Sequence, residues 1–252
     1  MKVKPTRLTW LGQAGFLLEA GDRRVLIDPW LSPHPGRLVE PPPLELVSEQ
    51  IDWVLVTHEH EDHLDLDFLR RLAVSSPDAQ LVLPEPVAPL AHGILAQRTV
   101  QVGDRFELGE LRVSVMPAFH AVDVADGYGN HGGRFVGYVI AGAGPTIFHA
   151  GDTIPDQALE AALAHEGVEV ALLPINGRDA PREARNIAGN LDAREAVALA
   201  RRIGAQTLVP YHWDAIAGNT EQPGRAADEA AASPGAALHV LVLAHLLPHR
   251  LA

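Results

Sequence analysis

The sequence predicts an α/β protein in which two β-sheets pack against each other with helices outside them. Two observations carry this. Each half of the chain begins with short apolar runs bounded by turn residues and continues into segments of helical spacing. That order suits two packed sheets better than one doubly wound parallel sheet. The chain also has 252 residues, 47% of them hydrophobic, enough to bury a sizeable core within one domain spanning 1–252.

The elements follow in order. In "RLTWLGQAGFLLEAGDRRVLIDPWL" two apolar segments flank the turn signal Ala20-Gly21-Asp22, and both read as strands. "SPHPGRLVEPPPLEL" carries too much proline for a regular element and is expected to be a surface loop near the site. "IDWVLV" is a short continuous apolar run, as in a strand covered on both faces. "LDLDFLRRLAV" has helical spacing, "QLVLP" reads as a strand and "PVAPLAHGIL" as a short helix. "RTVQVGDRFELGELRVSVMPAFH" alternates like a hairpin turning at Leu108-Gly109-Glu110, and "GRFVGYVIAGAGPTIFHAGDT" reads as a further pair of strands.

From Pro155 helices and strands alternate: "PDQALEAALAHEG", "VEVALLPI", "DAREAVALARRIG" and "AQTLVPYH". Asp192 and Glu195 make a D-x-x-E capping box, in which each side chain caps the other's backbone N–H, and Gly204 suits the end of that helix. "ADEAAASPGAALHVLVLAHLLPHRLA" is expected to give a helix and one last strand.

A net charge of −12 and a pI near 5.5 argue against nucleic acid or an anionic membrane as partner, because phosphate contacts need clustered Lys and Arg. A small anionic substrate needs only a local positive site, which a bound divalent metal would supply. There are no cysteines, which removes disulfides, thiolate ligands and a Cys nucleophile. No run is apolar and long enough for a signal peptide or a membrane span, so a cytoplasmic protein, free to form homo-oligomers, is expected.

The chemistry concentrates in "VLVTHEHEDHLD", where His58, His60, Asp62 and His63 form H-x-H-x-D-H at the end of an apolar run. Residues two apart in extended chain point to one side, so His58 and His60 can share one metal position. Asp62 and His63, at the turn into a helix, can face a second. Imidazole and carboxylate suit Zn²⁺, Mn²⁺ or Fe²⁺. His120 in "VMPAFH", Asp152 in "FHAGDT" and His212 in "LVPYHWD" each lie at the end of an expected strand, where loops can converge. Each has an ordinary structural reading alone, as a turn residue or a buried imidazole; together they complete a ligand set.

This pattern resembles the metallo-β-lactamase superfamily over nearly the whole chain, including "LGQAGFLLEAGDRRVLIDPW" at its start. The resemblance implies a four-layer αββα sandwich of two mixed sheets with one or two divalent ions, Zn or Mn, at one edge. It implies that His58, His60 and His120 hold one metal, that Asp62, His63 and His212 hold the other, and that Asp152 lies between them. It places Asp28 where the family braces its metal loop with an aspartate.

"PINGRD", then Arg185-Asn186, "GN" and the following helix are similar to the L-ascorbate-6-phosphate lactonase branch, although those enzymes are generally longer. The resemblance implies a hydrolase that opens a small, anionic sugar lactone. Arg178 and Arg185 offer forked donors to such an anion, and Asn186 an amide contact. A divalent metal lowers the pKa of bound water from 15.7 to about 7, which supplies hydroxide as nucleophile. Asp62 would orient it, and His149, just before the G-D-T aspartate, is a candidate proton donor to the leaving alkoxide. His131 in "GYGNHGG" is a candidate lid residue. Two other functions use the same residues: a small-molecule phosphodiesterase or nuclease, and a catalytically silent metal-binding scaffold.

Overall fold

The computed structural model describes residues 6–142 and 144–251. The first half contains β1 (Arg7–Gly12), β2 (Gly15–Ala20), β3 (Arg23–Ile27), α1 (Leu44–Ser48), β4 (Trp53–Leu55), α2 (Leu66–Ser75), β5 (Gln80–Pro84) and β6 (Ala96–Val100). The second contains β7 (Arg105–Leu108), β8 (Leu111–Pro117), β9 (Val136–Ala141), β10 (Ile147–His149), α3 (Gln157–Leu163), β11 (Val170–Pro174), α4 (Ala180–Glu183), α5 (Ala193–Arg202) and β12 (Thr207–Tyr211). The chain ends with α6 (Gly224–Ala232), β13 (His239–Val240) and β14 (His249–Arg250).

Two mixed sheets result, ordered β14-β1-β2-β3-β4-β5-β6 and β13-β12-β11-β10-β9-β8-β7. In each, an antiparallel meander passes into parallel strands: β1–β3 into β4–β6, and β7–β10 into β11–β13. This directs the C-terminal ends of β1, β3, β4, β8, β10 and β12 to one edge of the sandwich.

Alternation along the strands builds the layers, because successive side chains face opposite sides of a sheet. Phe16, Leu18, Val25, Ile27 and Leu55 of the first sheet meet Val113, Tyr138, Ile147, Leu172 and Tyr211 of the second in the central core. Their neighbours face outward: Leu17, Leu26 and Val54 pack under Phe68, Leu69 and Leu72 of α2. Ala171, Leu173 and Leu208 likewise pack under α3 and α5 through Leu159, Leu163, Val197 and Leu199. The αββα layering is therefore the one the sequence predicts. The capping box on α5 forms through both Asp192 and Glu195.

Three readings are corrected. The opening apolar stretch is three strands, since the chain reverses at Gln13-Ala14 as well as at Ala20-Gly21-Asp22, with Gly12 and Gln13 at φ 93° and 50°. "PVAPLAHGIL" makes only a 3-10 turn at Ala88–Ala91, its prolines denying the N–H groups that a longer helix needs. The expected last strand divides in two: β13 ends the second sheet, and the chain then crosses to add β14 beside β1.

Phe16 lies wholly buried between the sheets, edge-on to His149 and Tyr211 at ring distances of 5.6 and 5.7 Å. Phe16→Ala is expected to cost about 3–5 kcal/mol, measured as a lowered denaturant midpoint with the slope unchanged. A loss below about 1 kcal/mol would mean that the sheets close over the gap.

Candidate metal centre

Every residue of the expected ligand set lies just beyond a strand. β4 ends at Leu55 and leads to His58, His60, Asp62 and His63; β8, β10 and β12 lead to His120, Asp152 and His212. Gly151 allows the last approach. At φ 60° it takes a conformation that L side chains rarely adopt, and a Cβ there would lie 2.8 Å from Thr57. The loop carrying Asp152 can thus press against the histidine loop.

The structure brings all seven residues together in two groups. His58, His60, His120 and Asp152 offer donor atoms within 4.8 Å of one another, and so do Asp62, His63 and His212. Asp152 lies between them: Oδ1 is 3.2 Å from His63 Nε2, while Oδ2 is 3.2 Å from His212 Nε2 and 3.6 Å from His120 Nε2. His58 Nε2 faces His60 Nδ1 at 3.0 Å, and His212 Nε2 is 3.4 Å from Asp62 Oδ2. Five imidazoles converge with few protons to share. His63 Nε2 and Asp152 Oδ1 are buried and face each other at 3.2 Å without hydrogen-bond alignment, and neither has another hydrogen-bond partner among the described residues. Buried polar atoms are normally paired, so this donor set fits divalent cations in chemistry and in number.

The electrostatics agree. Burial, with nearby rings adding to it, holds His58 well below the ordinary imidazole pKa and His120 at about 3. Burial opposes charge on His63 and His212 too, but Asp152 and its neighbouring carboxylates overcome it and raise His212 to about 10. Burial would also raise Asp62 and Asp152, yet His63 and His212 hold both below the usual carboxylate range. The centre is a place where two anions gather positive charge.

Further contacts fix the loop. Asp28 accepts hydrogen bonds from Thr57 N (2.8 Å) and Thr57 Oγ1 (2.6 Å), and lies 2.7 Å from His63 Nδ1. That last contact turns His63 Nε2 toward the centre. Asp65 caps α2 at Phe68 N and also accepts from Leu31 N, Ser32 N and Ser32 Oγ. Glu59 pairs with Arg134. Gln13 is the residue that sequence reasoning missed: it is buried, with Nε2 2.6 Å from Asp62 Oδ2 and 3.1 Å from His212 Nε2. Its backbone ties the β1–β2 turn to the far end of the chain, accepting from His212 N and donating to Asp214 Oδ1. A lone amide between two glycines reads as a solvated turn. Gln13, Asp28 and His212 all hold positive φ, at 50°, 43° and 61°, and such backbone persists where surrounding contacts over-determine it.

A cleft of about 310 Å³ opens onto the centre, lined by His60, Glu61, Asp62, His120, Val122, Asp152, Asn186, Ile187, Ala188, His212, Ile216 and Asn219. Of the expected substrate contacts only Asn186 lines it, and its amide already bonds Asp123 Oδ1 and Val124 N. Arg178 is corrected: its guanidinium forms two 2.7 Å bonds to Glu195 and a third to the Asn190 carbonyl, securing α5. Arg185 lies outside the lining, 3.3 Å from the Gly218 carbonyl. His149 is corrected as proton donor. It is buried against Tyr211, accepts from Gly151 N at Nδ1 and donates from Nε2 to Ala14 O, which leaves it no proton to deliver to the cleft. His131 borders a neighbouring depression with Val122, Asp126 and Arg134. The proline-rich loop supports the lining from behind, pairing Arg37 with Ile216.

Comparison with known proteins gives the family from a family model and from sequence relatives, and the fold from solved structures. The model of the beta-lactamase superfamily domain matches residues 23–213. A UPF0173 metal-dependent hydrolase of Methanoregula boonei is 33% identical over 217 residues, covering 83% of this chain and 84% of the relative. Another, of Methanosphaerula palustris, is 35% identical over 218 residues, covering 83% and 86%. Among solved structures, the metallo hydrolase Igni18 of Ignicoccus hospitalis superposes with a TM-score of 0.75 over 99% of this chain and 100% of that one; at 21% identity this is a likeness of fold.

Asp28→Ala would leave a buried imidazole and the backbone N–H and hydroxyl of Thr57 without their acceptor. The expected cost is about 3–5 kcal/mol, read in urea unfolding. Stability within about 1 kcal/mol of the parent would remove Asp28 as the brace of the histidine loop.

Proposed function

From the premise that this chain belongs to the metallo-β-lactamase superfamily and is a metal-dependent hydrolase, we propose that it hydrolyses a small lactone or related ester. The observation that carries this is the gathering of seven His and Asp donors in two groups around Asp152, at the floor of a cleft. In this reading His58, His60 and His120 hold one divalent ion and Asp62, His63 and His212 the other, with Asp152 between them. Zn²⁺ and Mn²⁺ both suit these donors. A divalent ion there supplies Lewis acidity and brings the pKa of water to about 7.

The chain's own residues do the rest. Asp62 lines the cleft as an ionised carboxylate, held toward the centre by Gln13 Nε2. It orients the attacking water, accepts its proton and returns a proton to the departing alkoxide, a duty for which His149 is walled off. Asn219 presents a buried amide to the cleft and is fixed from behind by Asn176 Nδ2 and Arg182 Nη1.

Two measurements test this reading. His58→Ala and Asp152→Ala are expected to retain less metal by elemental analysis and to lose hydrolysis of a generic lactone. Full metal and unchanged rates in both would overturn the assignment. In the same assay, preference for bis-p-nitrophenyl phosphate would point to a phosphodiesterase, and no turnover of either substrate by metal-loaded protein to a silent scaffold. The second measurement is of pH dependence. Raised to about 10, His212 carries a proton at pH 7 that a metal must displace. Zn²⁺ affinity is therefore expected to rise from pH 7 toward pH 10, with net proton release in calorimetry across buffers of different ionisation enthalpy. Binding without proton release would remove His212 from the ligand set.

A further inference from the structure

We propose that the cleft selects an uncharged substrate, a neutral lactone or ester with a compact aliphatic substituent, and expels its anionic product. This rests on the hydrolase reading above and deepens it. Beyond the metal-facing donors, the lining consists of Val122, Ile187, Ala188 and Ile216, the amides of Asn186 and Asn219, and the carboxylate of Glu61. Among the described residues, no Lys or Arg lines it.

Most nearby cations are engaged with other groups. Arg178 is bound bidentately to Glu195, Arg134 to Glu59, and Arg182 to Asp179, the Asn176 carbonyl and the oxygen of Asn219 behind the lining, while Arg185 stays outside the lining with its guanidinium on the Gly218 carbonyl. In this reading the positive charge that a metal would bring to the centre serves the reacting carbonyl, not a pendant group. A pendant phosphate or carboxylate on the substrate would instead meet aliphatic side chains, Glu61 and at most the neutral Asn amides, losing hydration with no cation in return. A site that leaves a charge unpaired rejects it more strongly than a site that merely lacks a methylene. The aliphatic wall gains from a small alkyl group, at about 0.8 kcal/mol per buried CH₂.

The same lining acts on the product. Water adds to the acyl carbon, the acyl C–O bond breaks, one proton goes to the alkoxide oxygen, and the other leaves as the new carboxylic acid ionises. A neutral lactone thus becomes a hydroxy carboxylate, and a neutral ester a carboxylate and an alcohol, beside Glu61, which repels the anion toward solvent.

The test compares matched pairs on the metal-loaded protein. 4-Nitrophenyl butyrate and the monoanionic 4-nitrophenyl succinate have similar length and differ in terminal charge. At least a tenfold higher kcat/KM for the butyrate is expected. Glu61→Lys, at an exposed position, and separately Ile187→Lys should narrow that ratio several-fold and strengthen inhibition by butyrate ion. Equal or better use of the succinate, or ratios unmoved in both variants, would overturn the inference. Ligand-observed NMR with unreactive 2-pyrrolidone and its anionic 5-carboxylate decides the question independently of turnover. Tighter binding of the neutral lactam supports the inference, and tighter binding of the carboxylate overturns it. Failure of both esters to react would count against the hydrolase reading alone, because the lactam comparison still decides the charge preference.

Discussion

The fold depends on how one buried carboxylate is reached from both sheets. Asp152 leaves β10 of the second sheet and stands within 3.2–3.6 Å of His63, which follows β4 of the first, and of His120 and His212, which follow β8 and β12. A buried anion without partners is unfavourable by many kcal/mol, whereas one ringed by imidazoles is not. The two sheets must therefore meet at this edge in one register. The β1–β2 turn, the Gly151 backbone and the Asp28 brace all serve that meeting.

The contacts around the centre are arranged so that little can relax. Gln13 touches Asp62 and His212 through its side chain, and His212 and Asp214 through its backbone. It joins residues about 200 apart in sequence. Asp65 closes the start of α2 and also gathers Leu31 and Ser32 beneath the histidine loop. Left-handed backbone at Gln13, Asp28 and His212 is the local cost of this arrangement, offset by core packing on both sides. Rigid donors convert a cluster of polar residues into a site, because each donor's direction is set before any ligand arrives.

The donor cluster was legible because it is local or punctuated. His58, His60, Asp62 and His63 announce themselves by spacing, and His120, Asp152 and His212 by standing after apolar runs that could only be strands. The layers were legible for the same reason, since period-two alternation records which side of a sheet is covered. Gln13 was not, because its neighbours on the chain say turn while its contacts lie at the other end of the sequence. The roles assigned to Arg178 and His149 failed in a related way. A guanidinium suits a phosphate as well as it suits Glu195, and an imidazole suits a proton relay as well as two backbone groups; only position distinguishes them.

By itself, then, the sequence determined the α/β class, the sandwich order of strands and helices, and the set of metal-type donors, because periodicity and donor chemistry are properties of neighbours. The tertiary structure decided which polar residues face the cleft. It turned Arg178 into a helix anchor and His149 into a packed, satisfied ring, and it brought Gln13 to the centre. It also lined the approach with Val122, Ile187, Ile216 and Glu61 in place of cations. The physical reason is that a side chain's role follows from what lies within about 3 Å of it, and in this fold those partners come from strands far apart in the chain.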